Sequence, residues 1–118
     1  MITYQDVQAA RERIVPYIVR TPLLRVPALD EVLGCQVYLK HEGFQPMGAF
    51  KLRGAMNKAL SLTPEERARG LVCASSGNHA QGVAYAAHKL GCQAVIVMPT
   101  NANPVKLAGV KKWGGQVE

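Results

Sequence analysis

From Leu71 to Glu118 the chain alternates short apolar runs with longer helical stretches, and few architectures accept that order. "LVCAS" and "QAVIVMP" are too short for helices and too apolar for solvent-facing segments, so they read as buried strands. Between them "HAQGVAYAAHKLG" is an alanine-rich helix ended by Gly91. After them "NPVKLAGVKKWGG" is a helix with Asn103 as N-cap and Pro104 at its first position, and "QVE" opens another strand. Strands joined by crossover helices pair in parallel. The order therefore predicts an α/β fold, a parallel sheet with helices on both faces, whose ligand chemistry sits in loops at the carboxyl ends of strands. A chain that stops as a strand begins leaves that sheet unfinished, so the fold is expected to be truncated.

Upstream the signals are more local. Thr3 and Asp6 form a capping box, and Val7, Ala10, Ile14 and Tyr17 share one helical face until Pro16 disturbs the last turn. "VRTPLLRVP" is extended because its prolines keep the preceding residues out of helical geometry, and "ALDEVLG" is a short helix closed by Gly34. "CQVYLKHE" alternates like a half-buried strand, and "AFKLRGAMNKALSL" follows the loop "GFQPMG" as a helix.

Composition removes several classes of function. Hydrophobic residues make up 48% of the 118 and charged residues 19%, and no apolar run approaches the roughly 18 residues of a membrane span. The start, "MITYQDVQAARERIV", lacks the layout of a signal peptide, which points to a cytoplasmic protein with no membrane partner. Cys35, Cys73 and Cys92 lie far apart in apolar runs and read as reduced core thiols. With His41, His79 and His88 they make no ligand spacing, so no metal is expected. The net charge of +6 would suit nucleic acid, but the lysines and arginines are scattered and no aromatic platform accompanies them, so nucleic acid is not expected as a partner.

Two stretches can carry chemistry. "GAFKLRGA" puts Lys51 in the first turn of a helix behind a glycine-containing loop. The helix dipole, Arg53 and partial burial would each disfavour an ammonium there, leaving the neutral amine that Schiff-base chemistry needs. A lysine on a solvated helix face is the plainer alternative, and Phe50 beside it does not decide between them. "SSGNHAQG", between a strand and a helix, is a cradle for an anion. Gly77 lets a ligand approach the backbone, the helix start offers unpaired amides, and Ser75, Ser76, Asn78 and His79 add side-chain donors. A turn capped by serine and asparagine is the alternative. Gly77 and Gly82 have P-loop spacing, but Val83 and Ala84 stand where that loop needs Lys and Ser or Thr; neither G-x-G-x-x-G nor a G-x-S-x-G elbow occurs.

Together "GAFKLRGA" and "SSGNHAQG", with "RTPLL" and "LKHEGFQPMGAFK" leading in, resemble the threonine dehydratase and serine racemase family of pyridoxal-phosphate-dependent enzymes, which have fold type II. The resemblance covers essentially the whole chain. It implies pyridoxal 5'-phosphate as cofactor, Lys51 as its Schiff-base lysine, Phe50 beside the ring and Asn78 on the cofactor's 3-hydroxyl. It further implies Ser75, Ser76, Gly77, Asn78 and His79 around the substrate carboxylate, with Ser76 as a second acid/base beside Lys51. Ala49 departs from the serine of many members, which alters nearby hydrogen bonds and bears on substrate preference. The family's glycine-rich phosphate loop and the residue facing the pyridine nitrogen lie further downstream than these 118 residues reach.

The chain is accordingly expected to be an amino-terminal part, inactive alone. Residues 1–48 would be a segment packing on the large domain, and 49–118 an incomplete small α/β domain. The implied activity is threonine or serine dehydration (an ammonia-lyase giving a 2-oxo acid and ammonia), on a small hydroxy-amino acid and by a homo-oligomer when full length. Serine racemase and 3-hydroxyaspartate ammonia-lyase are the enzymatic alternatives. A non-catalytic fragment or interaction module is the alternative of another class.

Overall fold

The computed structural model describes residues 1–118. Thr3 caps helix α1 (Tyr4–Ile14) as expected: its hydroxyl oxygen accepts the Asp6 amide while the Asp6 carboxylate accepts the Thr3 amide. Pro16 cannot supply a donor to the helix, and Val15–Tyr17 tighten into a 3-10 turn. Of the apolar face foreseen for α1, only Ile14 is fully buried; Val7 is exposed.

The extended segment and the alternating one pair with each other. β1 (Leu23–Arg25) runs antiparallel to β2 (Tyr38–Lys40), with Leu24 opposite Leu39. Between them lies α2 (Pro27–Leu33), closed by Gly34 at φ 66°. The expectation of a half-buried strand is overturned, since every residue of this ribbon is exposed. A two-stranded ribbon needs a second layer to bury one face, and no other element of this chain supplies it. Cys35 is exposed too, so only Cys73 and Cys92 are partly buried thiols. Burial pushes the Cys73 thiol up from its ordinary value, which keeps it inert.

The rest of the chain is the α/β unit. It runs α3 (Lys51–Ser61), α4 (Pro64–Ala68), β3 (Leu71–Ala74), α5 (Asn78–Leu90), β4 (Ala94–Val97), α6 (Pro104–Lys112) and β5 (Gln116–Val117). Helix α4 was not anticipated, although Thr63 and Glu66 form a capping box around Pro64 at the first helical position. The sheet is parallel with order β3-β4-β5. Right-handed crossovers that step in one direction put their helices on one face, so α5 and α6 lie on the same side. Ala94, Ile96 and Met98 are buried beneath them, with Leu71 and Cys73 partly buried. The opposite face is bare within this chain, and Val72 on it is 74% exposed.

Helix α5 explains its own alanine content. Residues Ala80–Ala87 are all buried, because the sheet, α3 and α6 surround the helix. Small side chains let those neighbours approach closely. At Gly82 an added Cβ would stand 3.1 Å from the Ala55 Cβ and 3.4 Å from the Lys51 carbonyl oxygen, so the glycine lets α5 press against the start of α3. At Gly109 an added Cβ would collide with the Gln81 side chain, so that glycine makes room for Gln81 between α5 and α6. A second cluster joins Ile14 of α1 to Leu52, Met56 and Ala59 of α3 and to Tyr85 and Ala86 of α5. The radius of gyration, 16.4 Å, exceeds the roughly 13.5 Å of a compact domain this long, as the exposed ribbon requires.

Candidate functional site

Lys51 is the first residue of α3, and Phe50 before it is the N-cap with no side-chain hydrogen bond. The Lys51 ammonium lies 5.2 Å from the centroid of the Phe50 ring, and both residues are exposed. The approach to Lys51 is held by a polar network. Glu42 accepts from Arg53 Nε and Nη2, each at 2.7 Å, and from the Thr21 hydroxyl at 2.6 Å. The buried Gln45 side chain accepts the Val19 amide at 3.0 Å and donates to the Val19 carbonyl at 2.9 Å. Lys40 Nζ donates to the Thr21 carbonyl at 2.6 Å. The Arg53 hydrogen bonds hold the Glu42 carboxyl at about 2, against the opposing effect of burial and with help from Thr21, the Arg53 charge and Gln45. The partial burial expected of Lys51 is not found, since the residue is exposed, and the neighbouring Arg53 is paired with Glu42.

The "SSGNH" loop lies where a parallel sheet should carry it, between the carboxyl end of β3 and the start of α5. Gly77 is the N-cap of α5, no side chain caps the helix, and its first turn has no acidic residue. The loop's free donors are thus available to an anion. Ser75 Oγ accepts the Gly77 amide at 3.3 Å, and Ser76 is exposed. Asn78 is tied down: its Oδ1 accepts from Lys106 Nζ of α6 at 2.5 Å. A Cβ at Gly77 would meet nothing within 4 Å, so the loop faces open space.

One open crevice of about 310 Å³ brings the two stretches together. Phe50, Lys51, Gly54 and Ala55 line it from α3 and its cap, and His79 lines it from α5. Ser75, Ser76, Gly77 and Asn78 adjoin it through His79 rather than lining it. An exposed amine, an aromatic ring and a ring of hydrogen-bond donors suit a carbonyl-bearing aromatic cofactor and a carboxylate substrate, so the residues present fit pyridoxal phosphate on this side. Sequence reasoning missed Lys106, Glu42, Thr21 and Gln45. For Glu42 and Gln45 the only signal was their place in the stretch leading to Lys51. Lys106 gave none without the register of α6 on α5. No helix is long and apolar enough to cross a membrane, and no group of His, Cys, Asp or Glu is gathered as a metal site would need.

A parallel sheet with an exposed lysine at one helix start and an uncapped polar loop at another is the arrangement of the fold type II α/β enzymes. The chain belongs to the family of pyridoxal-phosphate-dependent enzymes, whose description matches residues 14–118. It is 45% identical over 115 residues to L-threo-3-hydroxyaspartate ammonia-lyase of Saccharomyces cerevisiae, covering 98% of this chain and 35% of that protein. It is 47% identical over 117 residues to L-threonine ammonia-lyase of Thermotoga maritima, covering 99% and 29%. Among solved structures, maize serine racemase superposes with a TM-score of 0.91 at 43% identity, over 95% of this chain and 34% of that one. The chain thus spans about a third of the length of these relatives. Pyridoxal 5'-phosphate is the cofactor this family uses.

Proposed function

We propose that the protein carrying this chain is a pyridoxal-phosphate-dependent ammonia-lyase that dehydrates a small hydroxy-amino acid, threonine or serine, with Lys51 as the residue joined to the cofactor. The observation that carries this reading is the crevice that Lys51 and Phe50 of the α3 start share with His79 of the uncapped α5 start. When bound, the cofactor supplies an electron sink for the charge left as the α-proton departs. The chain's own part is to hold and to orient. Lys51 Nζ would hold the cofactor and, as a free amine, would take the α-proton of the substrate. Ser75, Ser76, Gly77, Asn78 and His79 bind the substrate carboxylate, which fixes the bond that is to break. Phe50 would flank the cofactor ring, and Asn78 would donate to the cofactor's 3-hydroxyl.

Ser76 supports a second reading. The residue is exposed in the loop, and serine racemisation needs a second group to return the proton opposite the first, a role Ser76 would take. The relatives include both ammonia-lyases and racemases, and 3-hydroxyaspartate belongs to the same substrate class. The same proposal places the protein in the cytoplasm as a homo-oligomer without nucleic-acid or membrane partners, residues 1–48 packing on the large domain and 49–118 belonging to the small one. Borohydride reduction of the complete gene product loaded with pyridoxal phosphate, followed by peptide mapping, tests the central assignment. The pyridoxyl label is expected on Lys51; a label on Lys40 or Lys58 instead would overturn it.

A further inference from the structure

Lys106 is the third residue of α6, and its ammonium reaches across to the first residue of α5, donating to Asn78 Oδ1 at 2.5 Å. The register that brings them together is built into the helices. One turn further along each, Gly109 packs on Gln81, and a Cβ at Gly109 would collide with that side chain. The Gln81 side chain seated on Gly109 thus shares the register in which Lys106 reaches Asn78.

This location is electrostatically unfavourable for a cation. Lys106 sits at the positive ends of two helices, neither of which has an acidic residue in its first turn. The ion pairs of the chain are Arg25–Asp30 and Arg53–Glu42, so no carboxylate neutralises Lys106. It is nonetheless only partly exposed. Lys106 is thus held between two helix starts by the Asn78 amide oxygen and not by a carboxylate.

The chemistry of the pair indicates what this contact does. An ammonium has three donors and no acceptor, so the Asn78 amide must turn its oxygen toward Lys106. Its orientation follows from the partner and not from a choice between similar atoms. Both Nδ2 hydrogens are then left for other acceptors, and Asn78 can act there only as a donor. We propose that Lys106 is a positioning residue of the site: by occupying Asn78 Oδ1 it fixes the amide with its donors presented to an anionic oxygen of the cofactor. The proposal rests on the reading of Lys51 as the residue that carries pyridoxal phosphate. Without Lys106 the amide can rotate, and its oxygen would then oppose the oxygen it should hold.

The experiment uses the complete gene product and three variants, with pyridoxal phosphate as the probe. Lys106→Met is expected to weaken cofactor binding about tenfold, the effect of one lost hydrogen bond to a charged group, and to shift the visible band of the bound cofactor. Lys106→Arg should restore most of both. Asn78→Asp keeps a partner for Lys106 and adds an acid at a helix start, so it should hold or raise the melting temperature of the cofactor-free protein. It should still bind cofactor at least about tenfold more weakly, because its donors are gone. A purely structural role predicts the opposite pattern, with binding following stability in every variant, and that pattern would overturn the proposal. An unchanged affinity and band in Lys106→Met would do so as well. If that variant does not fold, Asn78→Asp decides: weaker binding in a stable protein supports the proposal, and unaltered binding ends it. If the wild-type protein takes no cofactor on Lys51, the proposed function fails first and this inference with it.

Discussion

The approach to Lys51 and the "SSGNH" loop are both polar and both lie beside a helix start, yet they are finished differently. In the approach, Glu42, Thr21, Gln45, Lys40 and Arg53 spend their hydrogen bonds on one another and on the backbone of Val19 and Thr21. In the loop, the start of α5 has no side-chain cap, and Ser76 and His79 are exposed. The same contrast recurs among the helices. Side chains of Thr3, Thr63 and Asn103 cap α1, α4 and α6, whereas α3 and α5, which carry Lys51 and Asn78, have none. Helix α2 is uncapped as well, but Pro27 at its start removes one of the donors a cap would satisfy. Saturated polar groups hold the chain in place, and unsatisfied ones are free to bind.

The comparison breaks most sharply at Lys51. In the complete gene product, Lys51→Ala should lower turnover by at least about a thousandfold, since it removes both the anchor and the base. The fold should barely respond, because the side chain is exposed. A comparable loss is expected for these 118 residues alone: given excess pyridoxal phosphate and threonine or serine, they should release no 2-oxo acid above background, because they span about a third of the ammonia-lyases they match and misalignment in a partial site is costly in rate. Turnover near that of the Thermotoga maritima L-threonine ammonia-lyase would show a complete site in this segment.

Within the loop, the two polar side chains should separate. Asn78→Ala is expected to change the visible spectrum of the cofactor-loaded protein before any substrate is added. Ser76→Ala should leave that spectrum alone and lower turnover by about a hundredfold. A resting spectrum unchanged in the asparagine variant would remove the distinction between a residue that tunes the cofactor and one that serves the substrate.

In the saturated network the prediction reverses, with stability lost and chemistry spared at first. Glu42→Gln replaces charge-assisted bonds by neutral ones and should cost about 2 kcal/mol, read as a lower midpoint in urea unfolding. Because Arg53 and Thr21 hold the folded Glu42 carboxyl at about 2, below its ordinary 4.5, its contribution is complete above that ordinary value. The contribution is lost as pH falls from about 4.5 toward 2. The Glu42→Gln protein should lack that part of the acid sensitivity, and parallel pH profiles for the variant and the wild type would refute the assignment.

The fold was legible wherever one chemical rule acted locally. The capping box at Thr3, Asn103 and Pro104 at α6, Gly91 at φ 67° and the strands of the sheet all follow from short-range patterns. What escaped depends on distant partners. "CQVYLKHE" has the alternation of a half-buried strand, but burial needs a second layer, and Leu39 has only its partner strand. Lys51 and His79 could be named from motifs, yet their shared crevice depends on Gly82 letting α5 reach the Lys51 carbonyl. Lys106 looked like one more scattered base because its meaning lies in helix register. Glu42 looked like part of a loop because its main partners, Thr21 and Arg53, come from two other segments.

The smallest effect on the fold, and the finest test of the comparison, is at Gly77. Its φ of −123° is open to any residue, and a Cβ there would meet nothing within 4 Å. Gly77→Ala should therefore change stability by no more than about 0.5 kcal/mol, as at any unconstrained surface residue. Gly82 differs, since its added Cβ would press on Ala55 at 3.1 Å and near the Lys51 carbonyl, forcing α5 away from α3. If the space beside Gly77 is where a carboxylate docks against the α5 amides, the methyl group should fill part of it and raise KM while leaving the melting temperature and the resting spectrum alone. A Gly77→Ala protein with unchanged KM for threonine and serine would show that the open space is solvent and not a binding surface. The loop would then be unsaturated without being used, and the distinction between holding and binding would no longer separate it from the network around Glu42.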